Sequence, residues 1–248
     1  MYIEPNSIIL GDCLEVMKNI EDKSINLILA DLPYSTTHCR WDSPIDLTLL
    51  WEQYKRIIKD NGAILLTAQT PFDKVLGCSN LEWLRYEWIW EKTQPTGHLN
   101  AKKMPMKAHE NILVFYKNLP TYNPIKTFGH PRKVSTAHHK RNTSTGDIYA
   151  KCDNFSDYDR TDRYPRSVQI FASDKQKKNL HSTQKPVALF EYLIKTYTNE
   201  GDVVLDNVAG SGTTGIACIN LNRKYILIEK EKQFCDIIID RITNHIIQ

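Results

Sequence analysis

The chain has 248 residues, 41% of them apolar and 25% charged, which describes an ordinary soluble protein able to bury the core of one large α/β domain. Its six cysteines are scattered with no C-x-x-C pair, which argues against a zinc site and a disulfide framework and fits a reducing cytoplasm. The net charge of +3 is uneven: residues 117–180 hold 13 Lys and Arg against 6 Asp and no Glu, a local balance of +7 that leaves −4 for the remainder. A basic stretch in a mildly acidic body suits a polyanion-binding face, although charge runs are commonly just solvated.

In chain order, the N-terminal Met1-Tyr2-Ile3-Glu4-Pro5 lacks the basic-then-apolar order of a secretion signal, and no apolar run approaches the roughly 20 residues of a membrane span. Residues 7–10 predict a strand stopped by Gly11-Asp12, and Leu14, Met17 and Ile20 give helical spacing over 13–20. The run Ile25 to Ala30 reads as a buried parallel strand ending at Asp31-Leu32-Pro33-Tyr34. Residues 46–59 predict a helix capped by Asp46, with Leu49, Leu50, Tyr54, Ile57 and Ile58 inward. Strands are expected at 63–67, 85–90 and 111–116, a short helix at 71–81, and a mobile loop at 92–108. Residues 117–180 have little periodicity and are too long for a connector, so they read as an inserted subdomain. A helix from Lys185-Pro186 to about 196, a strand at 203–205, a helix at 213–220, a strand at 225–228 and a final helix complete the pattern. Strands alternating with helices give the fold class: α/β, a doubly wound, mostly parallel sheet.

Two strand ends carry candidate chemistry. At the first, Pro33 biases Leu32 toward an extended backbone, which can aim the Leu32 carbonyl outward beside the Asp31 carboxylate. Two adjacent acceptors suit an exocyclic amino group with its two N–H donors, and Tyr34 offers a ring for stacking. The same four residues also serve as an ordinary capped turn. At the second, Asp206-Asn207-Val208-Ala209-Gly210-Ser211-Gly212-Thr213-Thr214-Gly215 contains G-x-G-x-x-G between strand and helix, with Glu229 closing the next strand. Such a loop serves any adenosine cofactor, NAD or S-adenosylmethionine alike. Asp206 at the mouth of the loop repels a pyrophosphate but suits a sulfonium and an ammonium. Only 19 residues follow Glu229, too few for the rest of a dinucleotide domain, and the remainder of the sheet precedes the loop.

Asp31-Leu32-Pro33-Tyr34 resembles the Asp/Asn/Ser-Pro-Pro-Tyr signature of the amino-methyltransferases, with Leu32 in place of the usual first proline. The order of blocks is similar to that of the β group of DNA amino-methyltransferases: catalytic motif, target-recognition region, cofactor loop. Ala68 to Pro71, His109 to Lys117 and His181-Ser182-Thr183-Gln184-Lys185-Pro186 resemble its intermediate blocks, and Gly11-Asp12 its adenine-bordering segment. One departure is Asn207-Val208 where the family usually has Pro-Phe.

The resemblance implies the S-adenosylmethionine-dependent methyltransferase fold, with catalytic half 1–116, target-recognition region 117–180 and cofactor half 181–248. It implies S-adenosyl-L-methionine as cofactor, held by Asp12, Asp31, His181, Thr183, Lys185, Pro186, Asp206, Asn207, Ala209, Gly210, Ser211, Gly212, Thr213, Thr214 and Glu229. Asp31, Leu32, Pro33 and Tyr34 are the expected catalytic group. Double-stranded DNA is the expected partner, with adenine N6 favoured over cytosine N4 because Asp is the commoner first residue among adenine enzymes. A non-catalytic DNA-binding module stays as a third reading. Expected DNA contacts are His38, Arg40, Trp41, Arg132, Lys133, Lys140, Arg141, Arg160, Arg163 and Arg166. A homodimer is admitted; no metal and no membrane are expected.

Overall fold

The computed structural model describes residues 2–34, 44–140, 153–174 and 184–247, without the side chains of 136–140 and 153–157. They form two compact units, one of residues 1–123 with 167–248 and one of residues 124–166.

The first unit is built on an eight-stranded sheet. Its strands in chain order are β1 (Ser7–Leu10), β2 (Ile25–Ala30), β3 (Ile58–Ala68), β4 (Leu84–Thr96), β5 (Lys107–Phe115), β8 (Val168–Phe171), β9 (Val203–Asp206) and β10 (Lys224–Glu229), while β6 (Lys133–Lys140) and β7 (Asp153–Arg160) lie in the second unit. They lie side by side as β1-β10-β9-β2-β3-β5-β4-β8. The pairs from β1 to β3 are parallel, so the carboxyl ends of β1, β10, β9, β2 and β3 share one edge. β5 runs antiparallel to both β3 and β4, which brings its start and the far end of β4 to that same edge.

Side-chain alternation splits the core into two layers. Ile25, Ile28, Ile64 and Leu66 face a layer with Met17 of α1 (Cys13–Met17), Leu50, Trp51 and Tyr54 of α2 (Leu47–Ile57) and Leu76 of α3 (Phe72–Cys78). Leu27, Leu29 and Leu65 face the other, with Leu193 of α4 (Val187–Tyr197), Ala217 of α5 (Thr213–Asn220) and Ile238 of α6 (Lys232–Ile246). Helices on both faces of a mostly parallel sheet make the expected doubly wound architecture.

The departures from the sequence reading are local. Asp46 caps α2 by accepting from the Thr48 and Leu49 amides, but Leu49 is exposed and Trp51 takes its place inside. Residues 92–108 are not one loop: β4 runs on to Thr96, a 3-10 turn follows at His98–Asn100, and β5 begins at Lys107. Pairing with β5 holds this extension although Pro95 interrupts it, and the register shifts between Glu91 and Thr96. β8 pairs with β4, so residues 168–171 belong to the main sheet. The second unit is a hairpin of β6 (Lys133–Lys140) and β7 (Asp153–Arg160) with flanking turns.

One buried contact ties α2 to the sheet edge. The Tyr54 hydroxyl donates to Asn207 Oδ1 at 2.6 Å, just past the end of β9. Tyr54→Phe leaves that buried acceptor unpaired and is expected to cost about 1–3 kcal/mol. Urea denaturation checks this, and a loss near zero would show that the bond does not hold the edge.

Candidate active site

Asp31 follows the last residue of β2, and Asp206 is the last residue of β9. These strands are direct neighbours, with Leu27 beside Val204 and Ile28 beside Leu205. The two carboxylates therefore stand at adjacent strand tips. They open into one cavity of about 490 Å³, whose wall also includes Tyr34, Gly210 and Glu229.

At the β2 tip, Asp31 Oδ1 accepts from the Tyr34 hydroxyl at 2.6 Å and from the Thr67 hydroxyl at the end of β3. Asp31 Oδ2 accepts from Lys185 Nζ at 2.6 Å. That ammonium lies 3.2 Å from Glu110 Oε2, and Lys92 Nζ lies 2.6 Å from Glu110 Oε1. Four charges thus alternate in sign, and the Lys185, Glu110 and Lys92 side chains are each 7% exposed. Burial by itself pulls the Lys185 ammonium down, but Asp31, Tyr34 and Glu110 around it carry it well above the usual lysine range. Burial opposes ionisation of Glu110 too, yet Lys185 and Lys92 hold its carboxyl below the usual range. Burial and then the Asp31 charge push the Tyr34 phenol well up, so it stays a donor. The Tyr34 ring packs against Phe72, with centroids 5.3 Å apart.

At the β9 tip, Asp206 Oδ1 accepts from the Val208 amide at 3.2 Å and Oδ2 from the Thr214 hydroxyl. Burial raises this carboxyl to about 7 despite those bonds, with Asp31 and Glu229 adding to the rise. Glu229 Oε2 accepts from the Gly210 amide at 2.8 Å and Oε1 from the Glu231 amide at 2.9 Å. Gly210 and Gly212 have φ of +53° and +78°, the left-handed region that glycine enters without strain. Among the described residues nothing lies within 4 Å of where a Gly210 Cβ would sit, so the backbone here is open to close approach. Two cavity-lining amides carry buried atoms without a hydrogen-bond partner among the described residues, Gln184 Oε1 and Asn207 Nδ2. A pocket with two carboxylates, an open glycine turn and spare amide groups fits a cationic ligand bearing hydroxyls.

Of the expected cofactor residues, Asp12, Asp31, Lys185, Asp206, Asn207, Ala209, Gly210, Ser211, Thr213 and Glu229 line the cavity. Thr214 stands behind Asp206, Gly212 opens α5 and Pro186 caps α4. Leu32, Pro33 and Tyr34 line the wall beside Asp31. His38, Arg40, Trp41, Arg141, His181 and Thr183 lie outside the described residues, as does the Lys140 side chain.

In the second unit Arg132 pairs with Asp159 at 2.5 Å, and Arg160 lies 3.9 Å from Asp162. Arg163 donates to the Asp162 and Pro131 carbonyls, so it knits its own unit together. Lys133 lies 6.0 Å from the Tyr158 ring, and Arg166 lies just beyond β7 at the end of the unit. Among the described residues no group of three or more His, Cys, Asp and Glu could hold a metal, and no helix is long and apolar enough to cross a membrane.

Sequence reasoning missed Thr67, Lys92 and Glu110 as partners of this site. Trp90, Lys92, Gln94 and Thr96 alternate onto one face of β4 and line the cavity. That period of two, with an acid opening the apolar run of β5, was the available signal.

The DNA methylase family profile for N6 and N4 enzymes matches residues 25–240. The chain belongs to the N6/N4 DNA methylase family. It is 30% identical to the type II methyltransferase M.HinfI of Haemophilus influenzae over 94% of this chain and 67% of that protein. It is 29% identical to the DNA adenine methyltransferase YhdJ of Escherichia coli strain K12, over 93% of this chain and 80% of that one. The structure of an M1.HpyAVI–SAM complex aligns with a TM-score of 0.64 at 24% identity, covering 95% of this chain and 98% of that one. The cytosine-N4-specific PvuII DNA methyltransferase aligns at 0.68 with 14% identity, covering 98% and 92%. These structural likenesses establish the fold of this DNA methylase.

Because its carboxyl is raised from 3.8 to about 7 on folding, Asp206 stabilises the ligand-free methylase fully only below about pH 4, and that contribution is lost as pH rises through 7. Asp206→Asn carries no such charge. Its melting temperature should match the parent near pH 4 and exceed it by at least about 2 °C at pH 8. Thermal denaturation from pH 4 to 8 checks this, and a constant difference would refute the buried-charge assignment.

Proposed function

We propose that this DNA methylase transfers the methyl group of S-adenosylmethionine to the exocyclic N6 of adenine in double-stranded DNA, taking the base out of the stack to do so. The observation that carries the reading is the adjacency of Asp31 and Asp206 across one cavity. One carboxylate suits an amine and the other a cation, so donor and acceptor of the methyl group are held side by side. Adenine is favoured by the Asp at the head of the motif and by the similarity to YhdJ over nearly the whole chain.

The cofactor supplies an electrophilic methyl group on a positively charged sulfur. Asp206 would offset positive charge on the cofactor, Glu229 would accept from its ribose hydroxyls, and the Gly210 turn would let the backbone come close to it. Asp31 and the Leu32 carbonyl would accept hydrogen bonds from the two amino N–H groups, which would turn the nitrogen lone pair toward the methyl carbon and stabilise the positive charge developing on nitrogen. Asp31 is placed to take the one proton that the methylated amine gives up. Tyr34 keeps Asp31 oriented through its hydroxyl and presents its ring to the base. A flipped base costs a few kcal/mol of unstacking, which contacts in the pocket offset. The basic second unit, through Arg132, Lys133, Arg160 and Arg166, is the proposed target-recognition region, its phosphate contacts giving affinity rather than sequence information.

Unmethylated DNA incubated with enzyme and cofactor, then digested to nucleosides for mass spectrometry, should yield N6-methyldeoxyadenosine. N4-methyldeoxycytidine in its place would overturn the adenine assignment. Asp31→Ala should lower the transfer rate by about 100-fold or more with cofactor affinity largely kept. Near-parental transfer by that variant would remove Asp31 from the chemistry.

A further inference from the structure

The acceptor that an incoming amine needs is already engaged. Asp31 Oδ1 takes the Tyr34 and Thr67 hydroxyls, and Oδ2 takes the Lys185 ammonium. Tyr34 and Thr67 belong to the two strand ends that frame Asp31, and they can stay while a base binds. Lys185 is the partner whose bond stands in the way. It is a buried cation, so it cannot be released without a carboxylate to receive it.

Such a carboxylate is in place. Glu110 Oε2 lies 3.2 Å from the same ammonium, yet that buried oxygen makes no hydrogen bond among the described residues. The two stand within ion-pairing distance. Glu110 is itself anchored through its other oxygen by Lys92 at 2.6 Å. A lysine head on a flexible four-carbon stem can re-aim between two acceptors this close with little backbone motion.

We propose that Lys185 is a two-position counter-ion. It rests on Asp31 when no base is bound, and it turns onto Glu110 when an exocyclic amine takes over Asp31 Oδ2. Glu110 and Lys92 are then positioning residues for the amine, although neither touches it. The chain Asp31, Lys185, Glu110, Lys92 has no net charge, so the shift leaves every buried ion paired in both positions. The inference rests on the reading above that Asp31 receives the amine, and it holds for an adenine or a cytosine amine alike. It also gives Lys185 a role distinct from the cofactor contact expected from sequence.

The test is single-turnover methyl transfer at saturating cofactor, with cofactor affinity measured separately by calorimetry. Glu110→Gln removes the negative charge of the second position and leaves Lys185 on Asp31. Its transfer rate should fall by about 10-fold or more, with the cofactor Kd within about twofold of the parent. Adding Lys185→Met to that variant removes the obstructing cation, so the double variant should be faster than Glu110→Gln alone. A merely structural role predicts the opposite order. Parental rates in Glu110→Gln, or no recovery in the double variant, would overturn the proposal. Should Glu110→Gln fail to fold, lysine ammonium resonances of the unaltered protein replace it. The buried Lys185 signal should shift when a duplex with a mismatched target base is added, and an unmoved signal would equally overturn the proposal. Absence of methylation by the unaltered protein on any DNA would instead refute the functional reading itself.

Discussion

Parallel pairing of β2 with β9, Leu27 beside Val204 and Ile28 beside Leu205, sets two carboxylates at neighbouring strand tips with one cavity above them. Strands about 5 Å apart place Asp31 and Asp206 within the reach of a single ligand pair. Mutual repulsion between two such acids is unfavourable, and the chain answers it differently at each tip. Asp31 is given a buried lysine, whereas among the described residues Asp206 is given the neutral Val208 amide and Thr214 hydroxyl and rises to about 7. The tip left short of positive charge is the one that suits a cationic cofactor.

The antiparallel half of the sheet completes the arrangement. Because β5 runs against β3, its opening residues lie at the edge where the parallel strands end, and β4 returns to the same place. Trp90 pairs with Glu110 in that ladder, and Lys92 lies two residues beyond Trp90 on the same face. The N-terminal and C-terminal stretches of the main unit are thus joined by ion pairs as well as by strands, since Lys185 at the head of α4 reaches both Asp31 and Glu110. Two core layers pack beneath this edge, with Tyr54 reaching up from one of them to Asn207.

Much of this was legible in the sequence, for a physical reason. Asp31, Asp206 and Glu229 each close a run of aliphatic residues, and a buried parallel strand delivers whatever follows it to the ligand edge. The glycine turn is equally local, because the backbone conformation it needs is written in residue type. Lys92 and Thr67 were opaque because their roles come from pairing between distant segments. Pro95 and Gly97 punctuate the stretch after Lys92 as a loop would, yet β5 holds β4 extended as far as Thr96. Glu110 stood inside a recognised block, but only the β5 register turns it toward Lys185. The inward turn of Trp51 instead of Leu49 is likewise decided by packing, where its indole donates to Ser79 at 2.8 Å.

The shared cavity can be probed with one compound, in which a short chain links adenine N6 to the sulfur position of a cofactor analogue. If the two strand tips hold amine and cation together, this compound binds at least about 10-fold tighter than the cofactor half alone, and Asp31→Ala removes that gain. A linked compound that binds no tighter than its cofactor half, or whose affinity ignores Asp31, would contradict the side-by-side arrangement.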